Sequence, residues 1–238
     1  MSTPKLSSHI SRQFNEELED IRSKVLAMGG LVEEHLRKSL DALSRSDAEL
    51  AEDVASSDYK VNALEVSIDE ECTEILARRQ PAASDLRMVI AVTKIITDLE
   101  RIGDEAEKIA RMVQRLVELE SPKSYYIGVL AMGNQVRQMV HGALDAFARM
   151  DAGKSLEIAK EDIEIDRAQD ATLRQLITYM MEDPRSITRV LDVAWAVRSL
   201  ERIGDHANNI CESVIYLVKG KDIRHISIED VERELQAR

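Results

Sequence analysis

Aromatic residues make up only 3% of this 238-residue chain, which also holds just nine glycines, four prolines and two cysteines. So few aromatics, glycines and prolines argue against a β-sandwich and favour helices packed through Leu, Ile, Val, Met and Ala. Cys72 and Cys211 stand far apart with no paired spacing, which excludes a Cys-x-x-Cys metal or redox motif. They read as core residues of a reduced, cytoplasmic protein. The N-terminus carries no apolar stretch of the signal-peptide kind. No apolar run approaches the roughly 18 residues of a membrane span, so contact with a membrane is expected only through partners. Catalytic signatures are missing too: no phosphate-cradling glycine loop, no Gly-x-Ser-x-Gly turn, and no Glu-x-x-His of the ferritin-like di-iron enzymes. The expectation is a protein that is not an enzyme.

What is present is apolar and acidic. Hydrophobic residues reach 44%, ample for a core, and 44 acidic against 32 basic residues give a net charge of −12 with a pI near 5.0. That field disfavours nucleic acid and anionic lipid and favours cations or basic partner surfaces.

The apolar residues recur at threes and fours in six long segments. Phe14, Leu18, Ile21, Val25, Met28, Val32, Leu36, Leu40 and Leu43 mark a first helix of about 50 Å, capped at Ser8 and continuing through Gly29-Gly30. Ser46-Asp47 opens a second, intensely acidic helix that runs to about Arg79, where Pro81 ends it. A third, capped at Ser84 or Asp85, runs to about Glu120. After Pro122 the pattern restarts. Helix four spans the region from Val129 to Met150, with a turn at Asp151-Ala152-Gly153. Acidic helix five reaches about Glu182. Helix six runs from about Ser186 to Lys219 and stops at Gly220. Lys221 to Arg238 reads as a polar tail or short helix.

Internal matches pair the halves. Leu-Asp-Ala occurs at 40–42 and 144–146, Asp47-Ala48 matches Asp151-Ala152, Asp58 matches Asp162, and Asn62 matches Asp166. Short connections force neighbouring helices to run antiparallel, so the expected fold is all-α, two tandem three-helix bundles, with units 1–120 and 121–238.

One stretch occurs twice unchanged: Glu-Arg-Ile-Gly-Asp at 100–104 and again at 201–205. On a helix, Glu100 and Asp104 share a face, as do Glu201 and Asp205, and each such pair repels by about 0.2–0.5 kcal/mol. A mid-helix glycine adds a cost of about 1 kcal/mol against Ala. An unfavourable combination made twice calls for compensation, which a bound cation supplies. The competing reading is that Arg101 and Arg202 neutralise the acids and the glycines relieve a tight helix crossing. In an antiparallel bundle, Asp58, Asn62 and Glu65 fall at the height of Glu100 and Asp104, and Asp162 and Asp166 at that of Glu201 and Asp205. Such oxygen sets suit Mg, Mn or Fe, with Zn also among the candidates. His206 is a further possible ligand, Trp195 and the methionines read as core, and Lys219, Lys221, Arg224 and His225 read as helix-end charges.

Paired Glu-Arg-Ile-Gly-Asp helices in a duplicated six-helix chain resemble the PhoU family of bacterial phosphate-signalling proteins, over essentially the whole length. Residues 216–225, Tyr-Leu-Val-Lys-Gly-Lys-Asp-Ile-Arg-His, are similar to the end of its close bacterial members. The resemblance implies metal ions or multinuclear clusters at Glu100/Asp104, Glu201/Asp205 and Asp162/Asp166, with Asn62 a departure where the family has a carboxylate. It implies a cytoplasmic, usually dimeric adaptor that represses phosphate-starvation genes, restrains phosphate uptake, and links the phosphate ABC transporter, through its ATPase subunit, to the PhoR sensor kinase. The alternatives from other classes are a carboxylate-bundle metal-storage or oxygen-activating protein, and an acidic scaffold without metal.

Overall fold

A computed structural model of the chain describes residues 6–224 and 226, with side chains from Arg12 onward. Among these residues there is no strand. The helices are α1 (Leu6–Arg45), α2 (Ala48–Ser57), α3 (Tyr59–Arg79), α4 (Ala83–Glu118), α5 (Ile127–Arg149), α6 (Ala152–Ala159), α7 (Asp162–Glu182) and α8 (Ile187–Lys219), with 3-10 turns at Lys123–Tyr126 and Pro184–Ser186. None is long and apolar enough to cross a membrane. The six expected helical stretches are there, but the second and fifth are each broken once, at Asp58 and at Lys160-Glu161. Before the first break, Ser56 Oγ and Ser57 Oγ donate to the carbonyls of Glu52 and Val54 (2.8 and 3.2 Å). Such back-bonding by hydroxyls bends helices.

The ends follow local chemistry, with two corrections. Asp47 and Asp151 cap α2 and α6, accepting from the backbone N–H of Leu50 and Lys154 (3.0 and 2.9 Å). Gly220 ends α8 at φ 73°. Ser8, however, lies inside α1, which has already begun at Leu6. Neither Ser84 nor Asp85 caps α4; the capping position is Ala82, which has no side-chain acceptor to offer. The Asp151 turn is tighter than expected, made by Met150 in the left-handed region with Gly153 already helical. Beyond α8, residues 221–224 and 226 are not helical, and the remainder of the expected tail lies outside the described residues.

Each half is a three-helix unit, and the two share one continuous core running from Ile21 to Leu217. The most extensive helix contact in the molecule joins the halves, α4 against α8. They run antiparallel, as Arg115–Asp192 (2.7 Å), Glu105–Arg202 (2.7 Å) and Asp98–Asn209 (3.1 Å) define. A second seam joins α1 to α5 by reciprocal insertion. A Cβ on Gly29 would fall 2.5 Å from Leu144 Cδ2, and one on Gly133 would fall 2.6 Å from Leu40 Cδ2. Gly29 and Gly133, like Leu40 and Leu144, are 104 residues apart, so each repeat gives the other one leucine and one hole. Gly29 is therefore part of an inter-repeat joint. Fully burying a leucine stabilises by about 1.5–3 kcal/mol.

Cys72 and Cys211 are buried as expected, and burial pushes both thiols up to about 12. Trp195 overturns its expectation: it is 57% exposed, and Ile187 and Leu191 stand out on the same side of α8. The stripe that α8 buries is Val190, Val193, Val197 and Leu200, one position away from the line through those three.

Candidate metal centres

The breaks in the second and fifth stretches position the acids. Each lets the start of the following helix lean onto a motif helix at its glycine. A Cβ on Gly103 would meet Asp58 Oδ1 and Val61 Cγ1, both at 3.2 Å; one on Gly204 would meet Ile165 Cγ2 at 3.3 Å and Asp162 Oδ1 at 3.7 Å. The repeated glycine is thus the floor on which Asp58 and Asp162 rest, and its helix cost is offset by that approach.

In the first centre, oxygens of Asp58, Asp104 and Glu107 lie within 4.8 Å of one another. Asp58 is buried, and its Oδ1 has no hydrogen-bond partner. Its Oδ2 accepts from Asn62 Nδ2 at 3.3 Å. Burial raises the Asp58 carboxyl above its ordinary range, with Glu107 and Asp104 adding and Asn62 and Arg111 opposing. Burial likewise raises Glu100, with Asp104, Glu65 and Asp58 adding, and raises Glu65, with Asp69 and Asp104 adding. Expected residues Asp58, Glu65, Glu100 and Asp104 therefore share one field, and Asn62 serves Asp58 as a donor.

Glu107 is the residue that sequence reasoning missed. Its signal was available: Glu100, Asp104 and Glu107 fall at i, i+4 and i+7, one helix face.

In the second centre, Asp162, Asp166, Glu201 and Asp205 act on one another. Burial, then Asp205, Asp166 and Glu201, push Asp162 up to about 6. Burial also raises Glu201, with Asp205 and Asp166 adding, and raises Asp205, with Asp166 adding. Asp166 and Asp205 are exposed, so this centre is the more open one. Its counterpart of Glu107 is Asn208, 101 positions on, as 201 is from 100. The buried Oδ1 of Asn208 also lacks a hydrogen-bond partner.

The motif arginines do not cancel these acids by contact. Arg202 pairs with Glu105 of α4 at 2.7 Å. Arg101 is exposed and, among the described residues, forms no ion pair, its charge reaching Glu65 and Glu100 only at longer range. His206 is turned away as well, with Nδ1 2.9 Å from Asp98 Oδ1 across the α4/α8 interface. Of the basic residues expected at the helix end, Arg224 pairs with Asp222 (2.5 Å), and His225 lies outside the described residues.

The residues fit a metal. Asp58 Oδ1 is buried without a partner, although Glu107 is paired with Arg111 at 2.5 Å, and an all-oxygen set suits hard or borderline cations; neither centre has the His or Cys that structural Zn favours. Asp58, Glu65, Glu100, Asp104 and Glu107 would hold one cation, and Asp162, Asp166, Glu201 and Asp205 the other.

Fold and site together define a class: a tandem-repeat helical bundle with one carboxylate-lined centre against each motif helix. Comparison with known proteins gives the family. The model described as the PhoU domain matches residues 25–113 and 129–214, and the chain belongs to the PhoU family. It is 57% identical over 232 residues to a protein of Pseudomonas putida named phosphate-specific transport system accessory protein PhoU homolog, covering 97% of this chain and 90% of the relative. It is 45% identical over 236 residues to the phosphate-specific transport system accessory protein PhoU of Escherichia coli K12, covering 99% and 97%. The crystal structure of PhoU from Pseudomonas aeruginosa superposes with a TM-score of 0.85 at 56% identity, covering 87% of this chain and all of that one. PhoU from Streptococcus pneumoniae, titled a phosphate transport system regulatory protein, gives 0.81 at 33% identity over 88% and 98%.

Proposed function

We propose that this protein is the accessory protein of a phosphate-specific transport system: a non-enzymatic, cytoplasmic adaptor that represses the phosphate-starvation response and restrains high-affinity uptake. In this reading it links the ATPase subunit of the transporter to the PhoR sensor kinase and works as a homodimer. Near-full-length similarity to relatives named phosphate-specific transport system accessory proteins supports the proposal. The units 1–120 and 121–238 would each hold one centre for Mg, Mn or Fe; the unserved Oδ1 of buried Asp58 supports the metal part. Against an oxygen-activating bundle stands the turning of His206 away from the second centre toward Asp98. Deleting the gene in its own bacterium is expected to leave a phosphate-starvation reporter on in phosphate-rich medium. Normal repression in the deletion strain would overturn the adaptor reading.

A further inference from the structure

Exchange of the repeats relates two stretches of the antiparallel α4/α8 interface, one toward each end of the pair. The first is a cavity of about 410 Å3 lined by Lys94, Thr97, Asp98, Asn209 and Glu212. The chain covers it with its own segment after α8: Arg224 lines the cavity, Asp222 lies within range of the Lys94 charge, and Arg87 Nε donates to the Leu217 carbonyl at 3.4 Å. Toward the other end the corresponding positions are Trp195 for Lys94, Arg198 for Thr97, Lys108 for Asn209 and Arg111 for Glu212, by the offset of 101 residues, and we refer to this stretch as the second groove. The chain following α4 turns into the 3-10 segment Lys123–Tyr126 and α5 and leaves Trp195 57% exposed.

This second groove is basic in a chain of net charge −12. Its acids lie underneath: Glu105 is 3% exposed and holds Lys108 (2.9 Å) and Arg202 (2.7 Å), Glu107 is 21% exposed and holds Arg111 (2.5 Å), and Asp192 is 14% exposed and holds Arg115 (2.7 Å). The cations face outward, Lys108 and Arg202 at 46% and Arg115 at 51%. Arg198 is exposed and forms no ion pair among the described residues. Beside them Ile187, Leu191 and Trp195 stand exposed at i, i+4 and i+8, a line about 12 Å long on α8. Cations flanking a short apolar line match a helix with an apolar stripe and acidic flanks.

We propose that this Trp195 groove is the docking surface for an acidic amphipathic helix of a partner protein, which would lie where the chain's own segment lies in the related groove. The proposal rests on the adaptor reading only for why a partner is needed.

Trp195 is the chain's single tryptophan, so its emission reports on the groove directly. The full-length protein is titrated with two synthetic peptides of about 18 residues that share a Leu/Ala apolar face, one with Glu and one with Lys on the polar face. The Glu peptide is expected to shift Trp195 emission to the blue, with an affinity that falls as salt rises. Arg198→Glu is expected to weaken it about tenfold, and Arg198→Lys to keep most of it. Equal binding of both peptides, no binding, an equal shift with phosphatidylglycerol vesicles, or a shift on raising protein concentration alone would each overturn it, the last pointing to a second copy as occupant. If the titration fails while the deletion strain has lost repression, the groove is refuted and the adaptor reading stands.

Discussion

The first centre is deep and the second open. Asp58 is buried and close to Asp104 and Glu107, whereas Asp166 and Asp205 reach solvent. The two also draw their carboxylates from different helices. On the helix ahead of the motif helix, the first repeat has Asn62 where the second has Asp166; on the motif helix, the first has Glu107 where the second has Asn208. A carboxylate has been exchanged for an amide on one helix and regained on the other. What both repeats keep is an Asp, Asp58 or Asp162, near the motif glycine, while a close group of three carboxylates is found among the described residues only in the first.

The largest expected effect breaks the comparison open. If the centres hold cations, Mg, Mn or Fe(II) raises the melting temperature by an amount set by RT ln(1 + [L]/Kd), about 2.7 kcal/mol at a hundredfold excess over Kd. For a chain of this size that is roughly 5–10 °C. Asp104→Ala is expected to remove more of the gain than Asp205→Ala, because the first centre brings three carboxylates within 4.8 Å. The two together should remove most of it. Without metal, neither variant should melt below the wild type, since each relieves repulsion. A wild-type melt that ignores all three metals would return the repeated motif to the role of a packing device.

A middling effect belongs to the glycines. Alanine in either place gains about 1 kcal/mol of helix propensity but must push on what rests there, at a cost of about 1–3 kcal/mol. At Gly103 the obstacle is both Asp58 and Val61 at 3.2 Å; at Gly204 it is Ile165 at 3.3 Å with Asp162 further off. Gly103→Ala is expected to be the more destabilising in urea melts, and to weaken metal binding by displacing Asp58. Equal midpoints for the two variants and the wild type would mean that the close approach is not needed.

These contrasts were only partly legible beforehand. The bundle was, because apolar residues at three- and four-residue spacing name the buried face of each helix, and the repeated Leu-Asp-Ala and Glu-Arg-Ile-Gly-Asp name the duplication. Asp58 and Asp162 could be placed by height alone. The breaks that turn them onto the glycines were not read, since a Ser-Ser-Asp run inside an apolar period looks like a solvated face. Glu107 shares a face with Asp104 and was there to be found. Trp195 was not: periodicity tells which line of a helix is apolar, not whether a neighbour covers it, and at the start of α8 none among the described residues does. The turning of Arg202 and His206 to Glu105 and Asp98 depends on a helix from the other repeat, which no local pattern reveals.

The smallest effect sharpens the comparison through protons. The Asp162 carboxyl is pushed up to about 6, by burial first and then by Asp205, Asp166 and Glu201, with no cation or donor opposing. Asp58 is raised too, but Asn62 and Arg111 pull against the rise. The native state therefore binds a proton at Asp162 more readily than the unfolded chain does, whose carboxyl keeps its ordinary value of 3.8. The stability this provides is complete below that ordinary value and is lost as pH rises through about 6. In metal-free protein the urea midpoint should then fall between pH 5 and pH 7 (about one unit either side of that value), and Asp162→Asn should flatten that fall more than Asp58→Asn. Saturating metal should flatten it as well, because the cation takes the place of the proton and so binds more weakly as pH drops through the same range. Equal slopes for the two Asn variants would mean that the openness of the second centre, and not its lack of an opposing donor, governs its charge.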